Sequence, residues 1–158
     1  MSAIRNQSFA IAHEEACRLW AYCGAQYVES DALLAEVSHQ ILRSLSVFAL
    51  NARRVLETFP KTAKFSATSS PWSRKASPGG FEEDLWESLA LAIHASVLQV
   101  HFAELTEGTY TAGAKVVSHA SVSTDRKPGK AISPFGMAYS FLSVVAPQFQ
   151  DRAVTNLA

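Results

Sequence analysis

Between Gly24 and Pro60 the chain contains neither glycine nor proline. Within that span Leu34, Val37, Ile41, Leu45, Phe48, Ala52 and Val55 recur every three or four residues. Apolar residues at this spacing share one face of an α-helix. They cannot share one face of a strand, whose side chains alternate with a period of two. The stripe predicts a helix over 31–58, about 40 Å long at roughly 1.5 Å per residue. Ser30 is placed to cap it, Asp31 suits the positive end of its dipole, and Pro60 stops it. A helix with one apolar face must bury that face against another element.

A covering element lies immediately before it. Phe9, Ala16, Trp20, Cys23 and Tyr27 recur at threes, fours and sevens, which predicts a helix over 8–28. Glu29 and Ser30 make a connection so short that the two helices form an antiparallel hairpin. Residues 60–80 change character, with Pro60, Pro71, Pro78, Gly79, Gly80 and several serines, and they read as a mobile basic loop. Phe65 and Trp72 in that loop either pin it to the body or meet a partner.

Helical character returns over 81–106, where Glu82, Glu83, Asp84 and Glu87 suit the first turns. The run 89–100 is apolar except for His94, Ser96 and Gln99, which marks a central helix. Val116, Val117 and Val122, the turn residues 125–129, and Ala131 with Ile132 predict a β-hairpin over 114–133. Ser133 and Pro134 fit the cap and first position of a last helix over 134–146, lined by Phe135, Ala138, Leu142 and Val145. Pro147 is expected to end it and leave 147–158 as a frayed tail. The expected architecture is a single, mainly α domain over 1–158. It is a four-helix bundle, an antiparallel helical hairpin plus two more helices, with a small β-hairpin before the last helix.

Charge and composition narrow the function. Lys and Arg number 14, as do Asp and Glu, so the net charge is zero and a generally basic nucleic-acid binder is excluded. The charges are nevertheless segregated. Lys61, Lys64, Arg74 and Lys75 lie in 60–80 without an acid, whereas 81–107 holds acids and no base. Either the loop folds over the acidic start of the third helix, or it meets nucleic acid or another acidic partner by weak, salt-sensitive attraction. Charged residues make up 18% of the chain against roughly 25% on average, which suggests hidden surface and hence a homodimer. No run approaches the roughly 18 apolar residues of a membrane span, and no apolar stretch near the start suits a secretion signal. Cys17 and Cys23 are six positions apart on one helix, about 9 Å along its axis. They are not expected to pair, so a reducing, cytoplasmic location is expected.

Candidate chemistry is sparse. His94 and His101, seven apart on the expected central helix, share a face but stand about 10 Å apart along it, too far to hold one metal alone. They read either as hydrogen-bonded core histidines or as members of a catalytic site. His13 and Cys17 are four apart but lack a second ligand pair. Ser118 and His119, adjacent on a strand, are expected to point to opposite faces and not to form a nucleophile–base pair. His39 and Arg43, with Glu36 one turn back, form either a solvated face or a polar patch, which Asn51, Arg53 and Arg54 extend. Arg53 and Arg54 are of a type that holds phosphate. No GxSxG, P-loop or GxGxxG occurs, and no metal or cofactor is expected. The candidate catalytic residues are thus His94, His101, His39 and Arg43. The candidate binding residues are Lys61, Lys64, Trp72, Arg74, Lys75, Arg53 and Arg54. An aromatic pocket lined by Trp20, Trp86 and Tyr139 is a further candidate site for a small ligand.

The order of elements carries a resemblance. A helical hairpin and a loop are followed by a helix reading Leu85, Trp86, Glu87, Ser88, Leu89, Ala90, Leu91, Ala92, Ile93, His94 and Ala95, then a β-excursion and a final helix bearing Phe141 and Leu142. The pattern resembles bacterial members of the HEPN superfamily over about 8–146. The resemblance implies an all-α, dimeric bundle found near toxin–antitoxin or phage-defence loci. Active members are RNases with an Arg followed after four to six residues by a His. This chain lacks that spacing: seven residues separate Arg5 from His13, His39 precedes Arg43, and 81–94 contains no Arg or Lys. The expected function is a non-catalytic or degenerate module that binds a protein or RNA partner. The alternatives are an RNase or nucleotide-handling enzyme with a non-standard His/Arg site, and a small-ligand-binding bundle.

Overall fold

The computed structural model describes residues 3–68, 80–105 and 113–155. Helix α1 spans Ala3–Gly24 and α2 spans Asp31–Leu56. The Ser30 hydroxyl caps α2 by accepting from the N–H of Leu33. The predicted stripe of α2 is buried from Val37 to Leu56, with Ile41, Leu45, Phe48, Ala52 and Val55 fully enclosed. Truncating a ring such as Phe48 in this position costs about 3–5 kcal/mol.

Helix α1 packs along the stripe with buried Ala12, Ala16, Leu19 and Cys23 at helical spacing, and the short helix Leu85–Ile93 packs against α2 as well. The last helix runs antiparallel to α1 and reaches the stripe through a ring. Trp20 stacks on Phe135 with centroids 4.2 Å apart, and Phe9 stacks on Phe149 at 4.6 Å. Phe141 meets Phe48 edge-on at 5.5 Å. The protein is therefore mainly helical, with a small three-stranded antiparallel sheet before its last helix.

The central helix expected over 81–106 is much shorter. Helix α3 spans only Leu85–Ile93, and the chain then becomes strand β1, Val97–Glu104. The reason lies in the period. Leu98, Val100 and Phe102 alternate with Gln99 and His101, which is the spacing of a strand. Strand β2 is Lys115–Ser123 and β3 is Lys130–Ile132, paired in the order β1-β2-β3. The predicted hairpin is thus the β2–β3 part of a larger sheet. Its turn uses Gly129 at φ 68°, a left-handed conformation that glycine adopts without strain.

Pro147 does not end the last helix. Helix α4, Pro134–Ser140, begins at the Ser133 cap and runs into a π-turn, Phe141–Val145, and then α5, Ala146–Thr155. The N–H of Ala146 bonds to the carbonyl of Phe141, one residue farther back than in an α-helix. A proline inside an α-helix normally collides with the carbonyl four residues earlier. The wider π-turn directly before Pro147 relieves that collision. Most of the expected tail is therefore helical, and Phe149 belongs to the core.

The described part of the 60–80 segment is held to the body. The N–H of Leu85 bonds to the carbonyl of Phe65 at 2.8 Å, and that of Ala67 bonds to the carbonyl of Glu83 at 2.7 Å. Phe65 also meets Phe59 edge-on at 5.2 Å, so it pins the strap to the body. The strap lies against the start of α3, as one reading of the charge segregation expects, through main-chain bonds. Trp72, Arg74 and Lys75 fall outside the described residues.

The strap crosses α4 at Gly136, where an added Cβ would stand 2.0 Å from the carbonyl oxygen of Ala67. Gly136→Ala is expected to cost about 1–3 kcal/mol through overpacking, lowering the melting temperature by roughly 2–4 °C per kcal/mol in a chain of this size. Gly24→Ala, whose Cβ would meet Phe135 at an ordinary 3.6 Å, is expected to leave stability unchanged or raised. Thermal unfolding followed by circular dichroism compares the two, and equal melting temperatures would refute the close approach.

Candidate ligand-binding site

The end of α2, the strap and the start of α3 enclose a cavity of about 340 Å³. Its apolar surface comes from Leu56, Phe59, Phe65 and Trp86, and Lys61 and Lys64 stand at its edge. Each position has a local cause. Leu56 is the last core residue of α2, and Phe59 follows on the turn where the carbonyls of Val55 and Leu56 accept from Thr58 and Phe59. Pro60 then directs Lys61 and Lys64 outward, and both are exposed. The main-chain bridge between Ser66 and Asp84 brings Phe65 beside α3. Trp86 is half-buried two residues into α3.

The charge balance at this cavity is local. The Arg53 guanidinium lies 4.0 Å from the Trp86 ring centroid, a cation–π contact that also holds the ring in place. Arg152 covers Phe59 at 4.5 Å and donates to the carbonyl of Thr58. Lys61 and Lys64 make no ion pair among the described residues. Two acids also line the cavity, Glu57 and Asp84. Asp84 caps α3 by accepting from the N–H of Glu87 at 3.0 Å, so part of its acceptor capacity is occupied. Lys61 and Lys64, both sequence candidates for binding, thus line one aromatic cavity, and Arg53, a third candidate, lies over its Trp86 ring. Arg54 is exposed farther along α2.

The candidate catalytic residues do not gather. His94 is exposed at the end of α3 and lines a separate hollow of about 460 Å³ with Glu87, Asp125, Arg126 and Lys127. His101 is on β1, not on a helix shared with His94, which removes the expected common face. Neither is a core histidine: His94 is exposed and His101 is half-buried. His39 and Arg43 are exposed on α2, where Arg43 lines a third hollow, of about 420 Å³, with Glu15, Arg18, Gln40 and Ser44. In that hollow Glu15 is buried, accepting from Ser44 and Arg18 at 2.6 Å each. The acids at the start of α3 serve as caps and partners. Glu82 accepts from the N–H of Asp84, and Glu87 lies 3.6 Å from Lys127.

Two further expectations need correction. Trp20 and Tyr139 do approach, at 5.6 Å, but Trp86 lies apart from them against Arg53, so the three do not line one pocket. Ser118 and His119 do not point to opposite faces, because Ser118 Oγ lies 2.9 Å from His119 Nδ1. The β1–β2 register shifts at this point, which makes Ser118 the extra residue of a bulge and breaks the alternation. His119 is a polar residue that sequence reasoning missed as a site member. It stacks on His101 with centroids 4.5 Å apart. Burial, and next the charge of His101, hold its imidazole below the ordinary range. No single-strand pattern reveals a bulge or a cross-strand stack.

Burial also raises the Tyr27 hydroxyl, helped by Cys23 and Tyr22, and it donates to the carbonyl of Tyr22. Neither Cys17, which is exposed, nor Cys23, which is buried, is in a disulfide. Among the described residues no group of three or more side chains is arranged to hold a metal ion. No described helix is long and apolar enough to cross a membrane. No family model, no curated protein and no solved structure matches this chain.

Proposed function

We propose that the protein is a non-catalytic, HEPN-like helical module that holds single-stranded RNA. A base would enter the Trp86 cavity, and its phosphates would lie on Lys61 and Lys64. The observation that carries this reading is a cavity of about 340 Å³ lined by Lys61, Lys64 and the Trp86 indole, with Arg53 lying over that indole. That volume is at the small end of ligand pockets, which suits one base. Sequence-tolerant binding of single strands combines such a stacking surface with cations that follow the backbone. A binding reading is favoured over a catalytic one because His94, His101, and the His39–Arg43 pair occupy three different places.

Fluorescence anisotropy with a labelled single-stranded oligoribonucleotide tests this directly. Trp86→Ala is expected to weaken binding by roughly 5- to 150-fold, the worth of one stacked base. The double variant Lys61→Ala, Lys64→Ala is expected to reduce the log–log salt slope by about 1.4, at roughly 0.7 per phosphate contact. No binding at protein concentrations of about 100 µM, the weak limit for non-specific association, would overturn the reading.

A homodimer belongs to the same proposal. Leu33, Val47 and Leu50 are exposed on the outer face of α2, between Gln40, Arg43 and Arg54. Light scattering at micromolar concentration is expected to give twice the chain mass, and Leu50→Glu to return it to one chain. A native chain that is already monomeric would remove the dimer.

A further inference from the structure

The sheet carries a second cluster of titratable groups, remote from the Trp86 cavity in the chain and built differently. His101 on β1 and His119 on β2 are direct cross-strand partners. Their rings are almost parallel, at 8°, with centroids 4.5 Å apart. Each has a serine beside it on β2: His101 Nε2 lies 2.7 Å from Ser121 Oγ, and His119 Nδ1 lies 2.9 Å from Ser118 Oγ. The ladder is irregular at this point, because its register shifts between His101 and Phe102.

Among the described residues, no charged side chain pairs with either ring. Phe81, from the segment before α3, meets the His119 ring edge-on at 6.3 Å. Its neighbour Glu82 accepts from the N–H of Asp84, and Glu83 is exposed. On β3, Ala131 pairs with Ser121. The ionisable residues of the strands lie toward their ends: Lys115 lies 3.7 Å from Glu104 at one end of the β1–β2 ladder, and Lys130 is exposed on β3. Among the described residues no carboxylate forms an ion pair with either imidazole.

A serine hydroxyl can donate to a neutral ring nitrogen or accept from a protonated one, so the serines accommodate either state of each ring. The rings do not accommodate each other in the same way. One proton on the pair places a cation beside a neutral ring. A second places two like charges face to face, half-buried and with no counter-ion among the described residues.

We propose that the stacked His101–His119 pair is a proton-sensitive lock on the β1–β2 ladder, closed while the pair carries at most one proton and opened at the bulge by the second. The direction follows from linkage. Burial and His101 both lower His119 relative to an ordinary histidine near 6.5. The unfolded chain therefore takes up this proton first. The stabilising contribution is fully present above about pH 6.5 and is lost as the pH falls below that value toward and past the folded-state midpoint.

NMR titration of the five histidines of the full chain, combined with thermal unfolding between pH 7.5 and 4.5, tests the lock. His119 is expected to titrate below the ordinary histidine value near 6.5. In His101→Gln its midpoint should rise. The melting temperature of that variant should fall by a few degrees less on acidification than that of the native chain. Cross-strand NOEs around His101 and His119 should disappear in acid before those between α1 and α2. The proposal is overturned if His119 titrates at or above the ordinary histidine value and ignores His101→Gln, or if the two melting profiles run parallel. It is also overturned if the NOEs persist once both rings are charged. Should His101→Gln fail to fold, the native titration and the reciprocal variant His119→Gln, read at His101, decide the matter.

Discussion

Burial of the α2 stripe depends on several elements at once, because its enclosed face is wider than one neighbour can cover: α1 and α3 pack along it, and the last helix reaches it through Phe141. Helix α1 supplies small residues, Ala12 and Ala16, that let the backbones approach, and the last helix supplies the large rings Phe135, Phe141 and Phe149. Aromatic contacts run along the seam from Trp20–Phe135 to Phe9–Phe149. This arrangement needs a last helix long enough to follow α1 over most of its length. A helix that stopped at Pro147 would leave Phe9 without Phe149. The π-turn over Phe141–Val145 is therefore part of the packing, since it lets one helical rod continue through a proline.

Around this core the candidate site is assembled from segments distant in sequence. Lys61 and Lys64 are near Trp86 only because the strap at 65–67 pairs with the main chain at 83–85. The strap can lie there only because residue 136 has no side chain. A backbone approach of this kind is a steric condition, independent of the chemistry of the cavity. It separates the residues that form the site from the residue that permits it: the former can be altered without moving the strap, whereas a side chain at 136 displaces the strap and with it the site.

Much of this was legible in the sequence where the signal was a long period. The α2 stripe, the short turn at Ser30, the Ser133–Pro134 helix start and the β2–β3 turn all follow from local rules. The errors arose where two local rules competed. The run 89–100 satisfies a buried helix by composition, whereas 97–102 satisfies a strand by alternation, and pairing with β2 decided for the strand. At Pro147 the rule for a proline in an α-helix held, but the helix there is not a regular α-helix. For the site, Lys61 and Lys64 were identifiable as cations in a segment without acids, and Arg53 as a residue of a type that holds phosphate. Their convergence on Trp86, and the distance of Trp86 from Trp20 and Tyr139, depend on tertiary contacts that no spacing encodes.

The charge pattern shows the same distinction between composition and placement. The chain is neutral, and its acids cluster at the start of α3. Yet Asp84 and Glu82 are engaged with main-chain N–H groups there, and Glu87 lies beside Lys127. A carboxylate that accepts from a helix start is stabilised by the unpaired N–H groups around it, and its field outward is correspondingly reduced. Lys61 and Lys64 have no such local partner among the described residues. The lining of the Trp86 cavity is itself formally balanced, with Lys61 and Lys64 against Glu57 and Asp84. Asp84 is partly engaged in capping α3, and Arg53 over the Trp86 ring adds a positive charge beside the lining, so the local balance leans positive although the chain as a whole is neutral.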